Sequence, residues 1–401
     1  MSRLARVSFV AVALTALTAC NGGTSVAPGL PGSPEGRTAG GKVGPGKIVS
    51  TQDGGQIYGY DVDQNGHDGV LASAKQVGTN SWTVSVETFD TKTAKITKSF
   101  AIYTGPKNSY EVDGIFDNDV ALVTHFVIPK NSIYAKRQYE TMNPVTAEMF
   151  TGKWEPPIKD LSVLERAENQ STTTSVVYAI ELKNQDVPDL VVSDVAKKKA
   201  ARIIHLDPNT FPLAASPQLS EDTVHNLAVM ATSPDGGAAG GPPPEIETVD
   251  LGSGKVRKFG GASCPGLVGC GDPNGIAYDS NTGVACTTTE LDAAVELYNV
   301  AQKSGFRVGL PNAGQYNAGT YVASDPVHKL FLVAQPESST SATGSSIQVY
   351  DESGNFVESV NGLNFTFDFY LAVPVTIAID PATRTGWVNG PAVTQLQRFS
   401  Y

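Results

Sequence analysis

The chain is poor in the residues that carry most enzyme chemistry. Its 401 residues include five histidines and four cysteines, and no two histidines stand at metal-ligand spacing, which excludes the common zinc motifs. There is no Gly-x-Ser-x-Gly elbow, no phosphate-binding glycine loop and no Cys-x-x-Cys-His haem attachment. Positive charge is also scarce. Lys and Arg number 29 against 40 Asp and Glu, a formal net charge of −11, so long-range attraction to nucleic acid or anionic lipid is not expected. One basic cluster, Lys197 to Lys199 with Arg202, runs against this trend and reads as a solvated turn at a strand edge. Beyond the N-terminus no segment approaches the roughly 18 apolar residues that span a bilayer, and helical periodicity is almost absent.

What is present begins at the N-terminus. Residues 1–19 carry Arg3 and Arg6, an apolar run from Val7 to about Leu17, and then Thr18 and Ala19 before Cys20; this is the layout of a secretory signal. Leu17-Thr18-Ala19-Cys20 resembles the bacterial lipobox. That resemblance implies a lipidated Cys20 as mature N-terminus and a membrane attachment through lipid alone. Residue 21 is Asn, not the Asp that resembles an inner-membrane retention signal, so outer-membrane attachment is preferred, facing either the periplasm or the surface. Residues 20–46 are rich in Gly, Pro and Ser and read as a tether, holding the domain on the order of 25–30 Å from the bilayer.

From residue 47 to 401 short runs of Val, Ile, Thr, Tyr and Phe alternate with Asp/Asn/Gly/Pro/Ser turns, an all-β pattern. The runs repeat. GIAYDSNTGVACTTT from Gly275, TYVASDPVHKLFLVAQ from Thr320 and VTIAIDPATRTGWVNG from Val375 align with one another. Each is a strand, an Asp-led turn and a second strand, followed by a variable loop and further strands. A four-stranded unit of about 45–55 residues is the signature of a β-propeller blade. Seven blades are expected, with six as the alternative. The final unit is short of a strand, which Lys47 to Gln52 supplies, closing the ring.

Through Gly275-Ile276-Ala277-Tyr278-Asp279, Ile347-Gln348-Val349-Tyr350-Asp351 and Ile377-Ala378-Ile379-Asp380 the repeat resembles propellers of the NHL and YVTN type. The resemblance bears on fold far more than on function.

Three local features ask for a role. DVDQNGHDG, residues 61–69, places Asp61, Asp63, Asn65 and Asp68 like a calcium loop, but position nine is Gly69 and position twelve is Ala72, where acids are wanted. A structural turn is preferred and a calcium site stays open; no other cofactor is expected. Cys264 and Cys270 bracket a Gly/Pro loop and are expected to form a local disulfide, while Cys286 reads as a buried free thiol. Ser162-Val163-Leu164-Glu165 has capping-box spacing and suggests a short helix.

Turns between first and second, and third and fourth, strands are tight. The other connections are long and emerge together on one face, where recognition usually resides. Aromatic residues assigned to that face are Phe365, Phe367, Phe369, Tyr370, Trp154 and Tyr316, with Tyr103 and Tyr110 beside them; a core role for the Phe365 to Phe369 run is the alternative. These residues suggest a monomeric binding scaffold for an envelope protein or a glycan. The enzyme alternative is a propeller lactonase or lyase. A lyase would need a histidine with a nearby acid on the long-loop face, and His225, with Glu221 or Asp222, is the single candidate because the pattern places it beside a long interblade connection.

Overall fold

The computed structural model describes residues 40–41, 43–63, 68–106, 109–116, 120–127, 136–143, 148–149, 161–169, 174–181, 188–194, 199–207, 218–222, 224–232, 245–259, 273–289, 294–311, 321–335, 345–365, 376–389 and 394–401. No residue among these is helical. They form seven antiparallel sheets, each containing four strands in simple up-and-down order. The first strands of successive sheets touch in cyclic order, and the first strand of the seventh touches that of the first. The fold is a β-propeller.

Blade one is Gln56–Val62, Asp68–Gly78, Ser81–Asp90 and Lys95–Gly105; blade two is Ser109–Phe116, Val120–Val127, Lys136–Asn143 and Glu148–Met149. Blade three is Leu161–Asn169, Thr174–Glu181, Pro188–Asp194 and Lys199–His205; blade four is Gln218–Asp222, Leu227–Thr232, Glu245–Asp250 and Val256–Phe259. Blade five is Pro273–Asp279, Val284–Thr289, Ala294–Asn299 and Ser304–Gly309; blade six is Tyr321–Asp325, Leu330–Gln335, Ser345–Asp351 and Phe356–Leu363. Blade seven is Ala378–Asp380, Thr385–Asn389 and Gln395–Ser400, completed at its outer edge by Val43–Ser50.

Closure by an N-terminal strand is therefore as expected, but the paired segment begins earlier. Val43 pairs with Phe399 and Ile48 with Gln397, so Gly44 to Lys47 bulge outward, as a stretch containing Pro45, which has no N–H to donate, must. Gly40 and Gly41 pair in parallel with Ser359 and Val360 at the edge of blade six. These paired residues fall inside the stretch 20–46 that composition reads as a tether.

The Ser162 to Glu165 helix is corrected. Those residues lie in the first strand of blade three, pairing with Thr174–Glu181 across a bulge between Val163 and Glu165. A capping box is a local preference worth about 1 kcal/mol, and a full ladder of sheet hydrogen bonds outweighs it.

Burial follows strand position. Leu330–Gln335 is buried at every residue, because second strands are covered on both faces by neighbouring blades, whereas Lys95–Gly105 at the rim has no buried residue. Apolar clusters fill the gaps between blades. Between seven and one, Val49, Ile57, Leu71, Phe89, Trp387 and Leu396 pack together, with Phe89 edge-on to Trp387 at 5.1 Å.

Candidate functional site

The described hairpins on one face of the disc are mostly built alike. Asp222, Asp279, Asp325 and Asp380 end the first strands of blades four to seven and are all buried. In each, Oδ1 accepts backbone amides just ahead: Val224 and His225, both at 3.0 Å; Asn281 at 2.8 Å; Val327 and His328, both at 3.0 Å; and Ala382 at 3.0 Å. This is Asx-turn chemistry. Four residues after each Asp the chain turns left-handed, at Asn226, Gly283, Lys329 and Arg384. Turns between third and fourth strands use the same geometry at Asp90 to Ala94, Asp250 to Gly254 and Asn299 to Lys303.

The other Asp oxygen is also engaged in three of the four. His225 Nδ1–H donates to Asp222 Oδ2 at 2.9 Å, His328 Nδ1–H to Asp325 Oδ2 at 2.8 Å, and the Thr383 hydroxyl to Asp380 Oδ2 at 2.6 Å. Phenols tie neighbouring blades to these carboxylates. Tyr401 Oη donates to Asp325 Oδ2 at 2.9 Å, and Tyr278 of blade five is hydrogen-bonded to Asp222 of blade four. Tyr60 of blade one donates to Asn389 Oδ1 of blade seven at 2.8 Å and to the Thr376 carbonyl.

His225 is thereby relocated. It lies in the tight hairpin between the first two strands of blade four, not beside a long connection. Its Asp222–His225 pair repeats as Asp325–His328 two blades on, which is the behaviour of a turn brace. Glu221 precedes Asp222 in the same strand and is also buried. The repeated Asp-x-x-His spacing was visible in the sequence and would have given the right address.

Other expected positions divide as follows. Phe365 is 1% exposed and packs with Val360, Leu363 and Ile377, and its N–H donates to Ser345 Oγ at 3.1 Å, so it is a core residue and not a surface anchor. Tyr103 is half-buried against blade one and donates to the Pro106 carbonyl at 3.0 Å. Phe367, Phe369, Tyr370, Trp154, Tyr316, Cys20, Cys264, Cys270, Asn65 and the side chain of Tyr110 lie outside the described residues. Cys286 is a buried free thiol whose ionisation burial pushes up.

In the calcium-like segment, Asp61 Oδ1 accepts the Val62 N–H at 2.8 Å, and the Asp63 N–H donates to the Asp68 carbonyl at 2.9 Å. No group of three or more metal-ligating side chains forms among the described residues. Gly69, which fills the ninth position, has a packing reason. A Cβ there would stand 2.1 Å from the Phe89 ring.

Several third strands bury an acid that sequence reasoning missed. Glu87, Glu247 and Glu296 sit two or three residues before the hairpin. Glu87 accepts the Gln52 N–H at 3.0 Å and the Ser99 hydroxyl at 2.9 Å. Lys258 Nζ lies 3.1 Å from Glu247 Oε1, yet desolvation outweighs this pairing and Glu247 is pushed up to about 7; burial does the same to Glu296, also to about 7.

The strand ends of the opposite face are mostly joined across longer stretches of sequence, unlike the two-residue turn between Asp68–Gly78 and Ser81–Asp90. Strand bounds leave 128–135, 150–160, 208–217, 233–244, 260–272, 312–320, 336–344 and 366–375 on that side, while no hairpin on the Asp face exceeds five residues.

The class is thus an all-β propeller with one short-hairpin face and one long-loop face. Structural comparison agrees with the fold. The chain is similar to a structure described as U3-55K, at 11% identity over 90% of this chain and 100% of that one, with a TM-score of 0.57. A structure of RRP9 WD40 repeats matches at 10% identity, 90% and 98% coverage and a TM-score of 0.54. A chain of a mitotic checkpoint complex matches at 11%, 96% and 99%, with a TM-score of 0.53. No family model and no curated protein matches by sequence.

Proposed function

We propose that this chain is a lipid-anchored binding scaffold of a bacterial cell envelope, held through Cys20 and presenting the long-loop face of its propeller to a partner protein or glycan. The observation that carries this reading is the asymmetry of the strand ends: on one face no more than five residues join successive strands and the described hairpins are braced by their own Asp, while the longer stretches of sequence join strand ends on the other face. The leader, Leu17-Thr18-Ala19-Cys20 and the Gly/Pro-rich segment after it support anchoring and reach. The solved propellers with WD40 repeats support the fold on which such a face is built. Asp222 and His225, committed to bracing a hairpin, give no support to a lyase.

The test is crosslinked capture of the lipidated protein from its own cells, comparing the native chain with Phe367→Ala and Trp154→Ala. A discrete envelope component that is lost with either variant, at unchanged thermal stability, is the expected result. Capture indifferent to both changes, or variants that simply unfold, would remove these residues from the binding face.

A further inference from the structure

A cleft of about 370 Å³ opens on the short-hairpin face between blades five and six. Thr282 from the first hairpin of blade five, Asn299, Gln302 and Phe306 from its second, and Glu352 with Ser353 from blade six line it. Phe306 is 43% exposed. Gly354, a left-handed residue, packs against it so closely that a Cβ there would come within 2.3 Å of the ring. The cleft therefore carries an accessible aromatic ring in its lining.

In its polar wall, the Thr282 hydroxyl donates to Glu352 Oε1, and the buried carboxyl of Asp279 lies close behind the Glu352 carboxyl. Burial, then the neighbouring Asp279, pushes Glu352 up to about 7. Asn299 Oδ1 accepts the Gln302 N–H at 2.8 Å, which leaves its side-chain NH₂ as a donor. The remaining polar lining groups are hydroxyls and an amide, with Val284 beside them.

We infer that this cleft is a carbohydrate site, sized for one or two sugar rings, with a ring face stacked on Phe306 and sugar hydroxyls bonded to Glu352, Asn299, Gln302 and Ser353. The chemistry selects a neutral polyhydroxylated ligand. An anion would face the carboxyl pair, whereas hydroxyl groups both donate and accept, as this mixture of carboxyl, amide and hydroxyl groups requires. The volume falls at the lower end of small-molecule pockets. The site lies on the face opposite the proposed partner surface and does not depend on it.

Saturation-transfer NMR on the full chain with glucose, galactose, mannose and N-acetylglucosamine tests the inference, and co-sedimentation with insoluble polymers of the same sugars distinguishes free sugar from a glycan chain. Transfer from at least one monosaccharide, or sedimentation with one polymer, is expected. Phe306→Ala should weaken it about tenfold, as loss of an aromatic stack does, and Phe306→Tyr should restore it. Gln302→Ala, at an exposed hairpin position, should weaken it with the melting temperature unchanged. Binding that persists in Phe306→Ala and Gln302→Ala would place the sugar elsewhere and overturn the assignment. So would the absence of both transfer and sedimentation.

Discussion

Tyr401→Phe removes one hydrogen-bond donor from Asp325, a buried carboxylate with four donors. The phenol bridges blades seven and six, donating at 2.9 Å to Asp325 Oδ2, which also accepts from His328 Nδ1 at 2.8 Å. Asp325 Oδ1 meanwhile accepts two backbone amides. A hydrogen bond to a charged group contributes about 1.5–3 kcal/mol. Three donors remain after the change, so the lower end, about 1.5 kcal/mol, is expected. The ring itself should stay, packed 6.1 Å from Phe399 and 5.6 Å beneath Arg384, so Tyr401→Leu should cost about 1 kcal/mol more. Urea unfolding followed by near-UV circular dichroism gives both numbers. A double-mutant cycle with Asp325→Asn should return a coupling above about 1 kcal/mol. A Tyr401→Phe cost within about 0.5 kcal/mol of zero, with no coupling, would refute the view that this phenol joins blade seven to blade six.

Gly69→Ala drives a Cβ into the Phe89 ring, 2.1 Å away, and should cost about 1–3 kcal/mol by overpacking; an unchanged urea midpoint would show that Phe89 moves aside freely. Lys329→Gly relieves a left-handed non-glycine residue at φ 57° and should be neutral to mildly stabilising. Lys329→Val should cost about 1–2 kcal/mol, and the reverse order in thermal melts would contradict the hairpin geometry. Burial raises Glu247 from 4.5 to about 7, so its stabilising contribution is complete below pH 4.5 and is lost as pH rises through 7. Glu247→Gln should match the native chain at acid pH and exceed it at pH 8, by on the order of 1–3 kcal/mol. Parallel pH profiles for the two proteins would show that this glutamate is not desolvated.

Some of this was legible in the sequence because the hairpins are chemically explicit. An Asp that must cap a turn and a small or polar residue that must go left-handed recur at Asp279 and Gly283, Asp325 and Lys329, and Asp380 and Arg384. The apolar run Leu330–Gln335 could only be a strand covered on both faces. What failed was local evidence overruled by packing. Ser162 to Glu165 carries a helix-start pattern, but the ring needs a first strand for blade three and takes it there. Phe365 was weighed as a surface anchor because alternating aromatics fit a loop or a strand equally, and only the contact with Ile377 and the bonds to Ser345 place it in the core. His225 was misplaced because the short strand Gln218–Asp222 after a long connection hid the hairpin. The cleft between blades five and six joins residues some seventy positions apart, such as Thr282 and Glu352, and no spacing rule connects them.

The central claim is that the long-loop face meets the partner, and hydrogen exchange measures it most directly. The lipidated chain would be compared on its own envelope membranes and in detergent. The account predicts added protection confined to peptides spanning 150–160, 233–244, 336–344 and 366–375. Protection of the Asp-led hairpins instead, at 222–226, 325–329 and 380–384, would contradict it.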